Sequence, residues 1–341
     1  MPEMSVIIVN WNGRHFLETC LTSLRQQTFR NFETILVDNG SQDLSADHVR
    51  AQFPEVNLIA LEQNRGFTGG NIAGLERSSG EIIVLLNNDT EADTHWLGKI
   101  HKAARDFPDA GSFASKMLYF DDRRRIENCG FSVTSAGMVV DVGRDELDGP
   151  AWVEPRNVFG ACGGAAAYRR TMIEDIGFLD VDFFMNYEDV DLGFRGQLQG
   201  YKCVLVPGAI VYHRLAATRK RNPARNVLFS QRNIEFVYLK NMPFSLMCRS
   251  LPQKVIYELG GAIYFSKMGT GGAFFKAKME VMRQLPLVLR KRHRLQRKRT
   301  LSSAALRSIM QDDWLGAKWK RFSSAWLGPA PISLGNSKSG S

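Results

Sequence analysis

Ser5-Val6-Ile7-Ile8-Val9-Asn10-Trp11-Asn12-Gly13 is the stretch on which the fold turns. The run from Met4 to Asn10 is short, apolar and rich in β-branched residues, and it ends abruptly in polar, turn-forming ones. That pattern predicts a buried strand. Arg14–Gln27 follows with Phe16, Leu17, Leu21 and Leu24 at helical spacing. Three more strand–helix pairs come after it. They are strand Glu33–Val37 with helix Asp43–Phe53, strand Val56–Leu61 with helix Thr68–Ser78, and strand Glu81–Leu86 with helix Asp93–Asp106. Asp43 or Ser45 is placed to cap the second helix. Apolar strands alternating with helices predict an α/β fold, with a mostly parallel sheet flanked by helices. In such sheets ligands bind at the carboxyl ends of the strands.

Composition sets the outer bounds. The chain has 341 residues, 44% of them hydrophobic and 23% charged, which excludes a disordered or fibrous protein. The net charge of +9 is unevenly spread. Met1–His213 holds 19 basic against 30 acidic residues, and Arg214–Ser341 holds 25 against 5. An acidic body and a basic tail are expected to meet different partners. No secretory signal is legible at the start, and no run approaches the ~18 apolar residues of a spanning helix. Five scattered cysteines (Cys20, Cys129, Cys162, Cys203, Cys248) without a C-x-x-C pair speak for reduced thiols in a cytosol.

Residues 111–213 are less regular and read as the second half of the same domain. Lys202–Val206 and Ile210–Tyr212 look like short strands, and Val190–Leu198 looks like a helix opened by Glu188-Asp189. Beyond Asn222-Pro223, the segments 224–240, 243–267 and 273–292 look helical. The expected division is a catalytic domain over 1–240, a helical basic extension over 241–328, and a disordered tail over 329–341.

Three strand ends carry polar clusters: Asn10-Trp11-Asn12-Gly13, Asp38-Asn39-Gly40-Ser41 and Asn87-Asn88-Asp89-Thr90. One such cluster is an ordinary turn. Three on the ligand-binding edge of a sheet are not. Together with Asn64-Arg65-Gly66-Phe67 and Glu188-Asp189-Val190-Asp191-Leu192-Gly193-Phe194-Arg195, they resemble in order the motifs of glycosyltransferase family 2. Within it, Asn87-Asn88-Asp89-Thr90 is similar to the bacterial rhamnosyltransferase-like branch. The resemblance covers roughly residues 4–240. It implies a GT-A fold, a nucleotide-diphosphate sugar donor (dTDP- or UDP-linked), Mg²⁺ or Mn²⁺, and inversion at the anomeric carbon.

The same resemblance distributes the roles. Asp38 would accept the ring N–H of the base, with Asn10 and Asn12 walling the pocket; as a residue type, Asp38 equally suits a turn that caps the next helix. Asn39, Arg65, Gly66, Asn71 and Asn88 complete the donor side. The glycine-rich turn at Gly66 would let a diphosphate approach the backbone at a helix N-terminus, beside the charge of Arg65. Metal binding would fall to Asp89, the one carboxylate in a motif that usually has two, and to His213. A carboxylate must take the proton of the attacking hydroxyl. Asp189 is the expected base and Glu188 the alternative; acidic residues also simply favour a helix N-terminus. Gly163 and Gly164 would lie on the acceptor side or merely allow tight packing.

Arg290-Lys291-Arg292-His293-Arg294-Leu295-Gln296-Arg297-Lys298-Arg299 holds seven formal positive charges. Apolar residues spread from Phe244 to Leu289 precede it, and apolar faces beside cationic clusters suit an anionic membrane surface better than nucleic acid. The expected protein is therefore an inverting glycosyltransferase, peripheral on the cytoplasmic face of the plasma membrane. It would move a deoxyhexose such as rhamnose onto a cell-surface polysaccharide or a lipid-linked precursor. A sugar-1-phosphate nucleotidylyltransferase is the alternative enzyme, but Asn10-Trp11-Asn12-Gly13-Arg14 is a poor match to the glycine-rich loop that chemistry needs. A non-catalytic nucleotide-sugar or membrane-binding protein would not need Asp38, Asp89, Asp189 and His213 together.

Overall fold

The computed structural model describes residues 1–215 and 223–311. The expected tail over 329–341 lies outside them. Strands β1 (Met4–Asn10), β2 (Phe32–Asp38), β3 (Asn57–Ala60) and β4 (Ile82–Asn87) alternate with helices α1 (Arg14–Arg25), α2 (Ser45–Gln52) and α3 (Gly66–Arg77). The short β5 (Thr90–Ala92) precedes α4 (Trp96–Asp106). Five strands follow in the less regular half: β6 (Ala110–Tyr119), β7 (Ile126–Asn128), β8 (Phe131–Val133), β9 (Val139–Asp141) and β10 (Arg156–Val158). After them come β11 (Ala165–Arg169), α5 (Arg170–Ile176), α6 (Glu188–Leu198) and β12 (Lys202–His213).

The main sheet has the order β10-β12-β6-β11-β4-β1-β2-β3, with β5 on β12 and β7 on β6. β1 pairs in parallel with both β2 and β4, and β6 pairs in parallel with β12. β11 runs antiparallel between β4 and β6. The carboxyl ends of β1, β2, β4, β6 and β12 consequently share one rim with the start of β11. Side chains of a strand alternate between faces. Met4, Val6 and Ile8 enter one core with α1 and α4, while Ile7 enters the other with Ile83, Leu85 and Leu192. Each such fully buried side chain contributes about 1.5–3 kcal/mol.

Two local expectations need correction. The α2 cap is not a side-chain cap: Leu44 holds that position in the left-handed region at φ 63. Asp43 instead accepts the N–H of Ser45 at 3.1 Å and of Arg14 at 2.9 Å, joining two loops of the rim. The two short runs at 202–206 and 210–212 form one strand, interrupted by an irregularity at Pro207-Gly208-Ala209 where the register on β6 shifts. Proline cannot donate to a ladder and accounts for the break.

The C-terminal helices are α7 (Pro223–Asn241), α8 (Phe244–Lys267), α9 (Gly271–Lys298) and α10 (Ser303–Ser308). They share a core with the preceding α/β half: Phe183, Val190 and Phe194 pack with Phe236, Leu246, Val281 and Leu306. Asp191 sits fully buried at this junction. It pairs with Arg195 at 2.9 Å and Lys240 at 2.7 Å, and accepts from Asn241 at 2.8 Å.

α3 approaches β1 so closely that its glycines are sterically required. A Cβ on Gly74 would stand 2.4 Å from Ile7 Cγ2, and one on Gly70 would stand 2.6 Å from Val9 Cγ1. Alanine gains about 1 kcal/mol of helix propensity, but overpacking against branched, sheet-locked side chains costs about 1–3 kcal/mol. The clash should win. Gly74→Ala is expected to lower the melting temperature by a few degrees; a rise in thermal unfolding would show that α3 can move off the sheet.

Candidate active site

Asn10 joins three strand ends. It lies opposite Asp38 in the β1–β2 register. Its Nδ2 donates to Asp38 Oδ1 and to Ser41 Oγ, each at 3.3 Å, and its Oδ1 accepts from Asn88 Nδ2 at 2.7 Å. Asn12, at φ 51, donates its N–H to Ser41 Oγ at 2.9 Å and accepts from Gln42 N–H at 2.7 Å. Asp38 Oδ2 accepts from Ser41 N–H at 3.3 Å. So Asp38 does take a turn bond. Its two bonds are long, and each carboxylate oxygen keeps a second lone pair. Trp11, 41% exposed, stands beside this corner.

Asn39 and Asn64 shape the entry to α3. Asn39 Oδ1 accepts Arg65 N–H at 2.8 Å, and its Nδ2 donates to the Gly66 carbonyl at 2.9 Å. Asn64 Oδ1 accepts Gly66 N–H at 2.7 Å. Gly66 has φ +74, and a Cβ there would meet the Phe184 carbonyl oxygen at 2.3 Å, so only glycine fits. The Arg65 side chain is exposed. Asn71 is buried in the second turn, where its Nδ2 donates to the Phe67 carbonyl at 2.9 Å; its amide is engaged within α3.

A second cluster lies at the ends of β4 and β12. Thr90 is opposite His213 in the β5–β12 pairing. His213 Nε2 lies 3.2 Å from Asp89 Oδ1, and Nδ1 lies 3.2 Å from Glu127 Oε2. Asn87 Nδ2 is 3.4 Å from the same Nε2. Burial alone would lower the imidazole pKa, but the bonds and charges of Asp89 and Glu127 outweigh it and push it up to about 9. Glu127, on β7 and 5% exposed, is absent from the sequence reading. It lies 86 residues before His213 in an irregular segment, where no motif marks it. Among the described residues, no group of three or more His, Cys, Asp or Glu side chains is set to hold a metal ion.

The third cluster faces it. Asp189 Oδ2 accepts Gly163 N–H at 2.8 Å, and Oδ1 accepts Val190 N–H at 2.8 Å. It therefore ties the first turn of α6 to the Gly163-Gly164 turn. A Cβ on Gly164 would stand 3.2 Å from Asn87 Nδ2, which brings this turn against the β4 end. Glu188 is buried, and its Oε2 has no hydrogen-bond partner among the described residues. Burial first, and the Asp189 charge second, push its carboxyl up to about 8. Burial also raises Asp189, against the two N–H bonds that favour its carboxylate. Glu188 is thus the carboxyl that keeps its proton at neutral pH, while the two N–H bonds favour the charged form of Asp189.

The segment leading into this pair is strained. Phe184, Asn186 and Tyr187 all have φ between 62 and 68. Each such residue costs on the order of 1 kcal/mol or more. Asn233 of α7 holds the segment by donating to the carbonyls of Phe183, Met185 and Asn186 at 2.8–2.9 Å. Lys291 of α9 pairs with Asp180 and Asp182, each at 2.6 Å. The C-terminal helices therefore fix where Asp189 sits.

A mostly parallel sheet of this order, flanked by helices, is the α/β fold of the GT-A class. The sequence profile described as glycosyl transferase family 2 matches residues 5–177, and the chain belongs to that family. It is 27% identical over 250 residues to the N-acetylglucosaminyl-diphospho-decaprenol L-rhamnosyltransferase of Mycobacterium tuberculosis, covering 66% of this chain and 80% of that protein. It is 26% identical over 231 residues to the O-antigen biosynthesis protein RfbC of Myxococcus xanthus; that match takes in 64% of this chain but only 18% of RfbC. Among solved structures, GalNAc-T7 with UDP, GalNAc and Mn²⁺ superposes with a TM-score of 0.56 at 16% identity, over 70% of this chain and 48% of that one. The mannosyltransferase PcManGT of Pyrobaculum calidifontis, with GDP-Man and Mn²⁺, gives 0.50 at 16% identity, over 82% and 87%.

The Glu188 environment has a measurable consequence. Its folded pKa lies above the carboxylate reference of 4.5, so folding is unpenalised below that value and loses stability as pH rises toward about 8. Each pH unit in that window costs up to about 1.4 kcal/mol. Glu188→Gln should melt several degrees above the parent at pH 8 and close to it at pH 4.5. An equal difference at both pH values would mean the carboxyl is not held neutral.

Proposed function

We propose that residues 1–240 form an inverting, metal-assisted glycosyltransferase and that 241–328 form its basic, membrane-proximal helical extension. The observation that carries this reading is the meeting of two clusters across the Asn87–Gly164 contact: His213 with Asp89 on one side, Asp189 on the other. The donor is a nucleoside-diphosphate sugar, dTDP- or UDP-linked, held by the Asn10, Asn12, Asp38, Asn39 and Asn88 corner. Arg65 and the α3 N-terminus lie toward its diphosphate, since helix N-termini favour anions. The mycobacterial relative's name supports a deoxyhexose such as rhamnose. The two relatives' names also support a polysaccharide or lipid-linked acceptor, and the basic extension suits a meeting with it at the cytoplasmic face of the membrane.

Asp189 takes the proton of the acceptor hydroxyl as its oxygen attacks the anomeric carbon from the face opposite the leaving group. The new C–O bond forms as the bond to the diphosphate breaks, so configuration inverts in one displacement. Glu188, neutral beneath it, adds no competing charge. Gly163 holds the carboxylate in place through its N–H. Asp89 and His213 suit a divalent cation. Glu127 occupies Nδ1 and so leaves Nε2 to face Asp89, the arrangement in which a second carboxylate orients a metal-binding imidazole. Two protein donors suffice where substrate phosphates and waters complete the shell. When bound, Mg²⁺ or Mn²⁺ would neutralise charge developing on the diphosphate.

Turnover and donor binding separate the roles. Asp189→Asn should lower the rate of sugar transfer by at least about 100-fold, while the thermal shift given by a nucleotide sugar with Mn²⁺ stays within experimental error. Asp89→Asn should lose that Mn²⁺-dependent shift. Wild-type turnover in the Asp189 variant would remove the assignment of the base. An undiminished Mn²⁺-dependent shift in the Asp89 variant would remove the metal site.

A further inference from the structure

α8 is turned inside out. Its buried positions, Leu246, Ser250 and Lys254, follow one another at intervals of four, and two of the three are polar. Lys254 reaches inward to Glu235 of α7 at 2.7 Å and to Glu258 at 2.8 Å. Lys278 of α9 joins the same pair at 2.8 and 2.5 Å. The opposite side of α8 carries Leu251, Val255, Ile256, Leu259 and Ile263, all 48–61% exposed. α9 continues the surface with Phe275, Met279 and Met282, 55–68% exposed. A helix facing water places its residues the other way round, and exposed apolar faces of this extent mark interaction sites.

The charges around the face say what covers it. Arg249, Lys267, Lys276, Arg283 and Arg290 are exposed on the same two helices. The acids of α8 and α9 are Glu258 and Glu280, and both turn inward, Glu280 toward Arg232 at 3.5 Å. No helix among the described residues is long and apolar enough to cross a bilayer. An apolar face rimmed by cations alone, on helices too polar to span, matches the interface of an anionic bilayer. A second copy of the chain would set the same cations against one another.

We propose that the α8–α9 hairpin docks in the plane of an anionic lipid surface, with Leu259 and Ile263 of α8 and Met279 and Met282 of α9 entering the acyl boundary. This deepens the membrane-side reading above and does not depend on the transfer chemistry. Lys291 ties the same α9 to Asp180 and Asp182, so the docked hairpin also holds the segment that carries Asp189.

Co-sedimentation of the full chain with vesicles tests the proposal, using phosphatidylcholine alone or with 30 mol% phosphatidylglycerol. Each cation near an anionic surface strengthens binding by about fivefold. The partition coefficient should therefore rise at least about tenfold with phosphatidylglycerol and fall when salt is raised to ~1 M, where charges are screened within about 3 Å. Leu259→Glu with Ile263→Glu changes exposed positions, so its melting temperature should match the parent while vesicle binding falls by about tenfold or more. Binding that ignores phosphatidylglycerol, or survives the double variant, overturns the proposal. A parent chain that forms a dimer which the double variant dissolves, with no vesicle binding, overturns it in favour of self-association. A thermal shift with nucleotide sugar, measured on the same preparations, reports the donor site separately.

Discussion

The register of β1 between its two parallel neighbours is the constraint on which the site depends. Asn10 lies opposite Asp38, and Val9 lies opposite Asn87. Three strands therefore stop level, and their next residues turn outward together. Asn10 sits at the middle of this edge because one amide can bond to both sides at once. A slip of one residue would send every side chain of β1 to the other face. The core alternation of Val6 and Ile8 against Ile7 opposes that slip with several buried side chains on each face. The hydrophobic core thus sets the positions of polar atoms it never touches.

Electrostatics decide the rest of the rim. Asp89 and Glu127 are both nearly buried, and two carboxylates in such a place repel one another and lose hydration. His213 stands between them and offers one nitrogen to each, which is why its proton is held so firmly. The arrangement calls for positive charge between the two acids, from the imidazolium or from a cation that takes its place. At Glu188 the opposite holds. Among the described residues no cation compensates it there, burial dominates, and the group keeps its proton. The rim thereby holds a stabilised ion pair in one cluster and a neutral acid in another.

The C-terminal helices do more than extend the chain. Through Asn233 and Lys291 they tie down the segment before Glu188, in which Phe184, Asn186 and Tyr187 stand at positive φ. They also bury Asp191, Lys240 and Arg195 in a network where removal of one partner would leave a charge exposed to an apolar core. Their outer faces then carry the apolar residues that a soluble helix would hide. α9 takes part in both features: its Lys291 anchors the segment before Glu188, and its outer face continues the exposed apolar surface of α8.

The sequence by itself determined the alternation of strands and helices, the residues of the three strand-end clusters, and the sheet edge that those clusters share. These follow from local periodicity and from short motifs, both of which are properties of neighbouring residues. It also marked Glu188 and Asp189, without showing how their surroundings differ. Only the tertiary structure decided that difference, leaving Glu188 Oε2 without a partner among the described residues and giving Asp189 two N–H bonds, because burial is set by everything packed above a side chain. Glu127 became visible only when β7 paired beside β6 and met a histidine from a distant strand. The tail read as amphipathic, but which of its faces points outward depended on Glu235 of α7 drawing Lys254 and Lys278 inward. Contacts between residues far apart in the chain have no periodicity to betray them, and they are what fixed these charges.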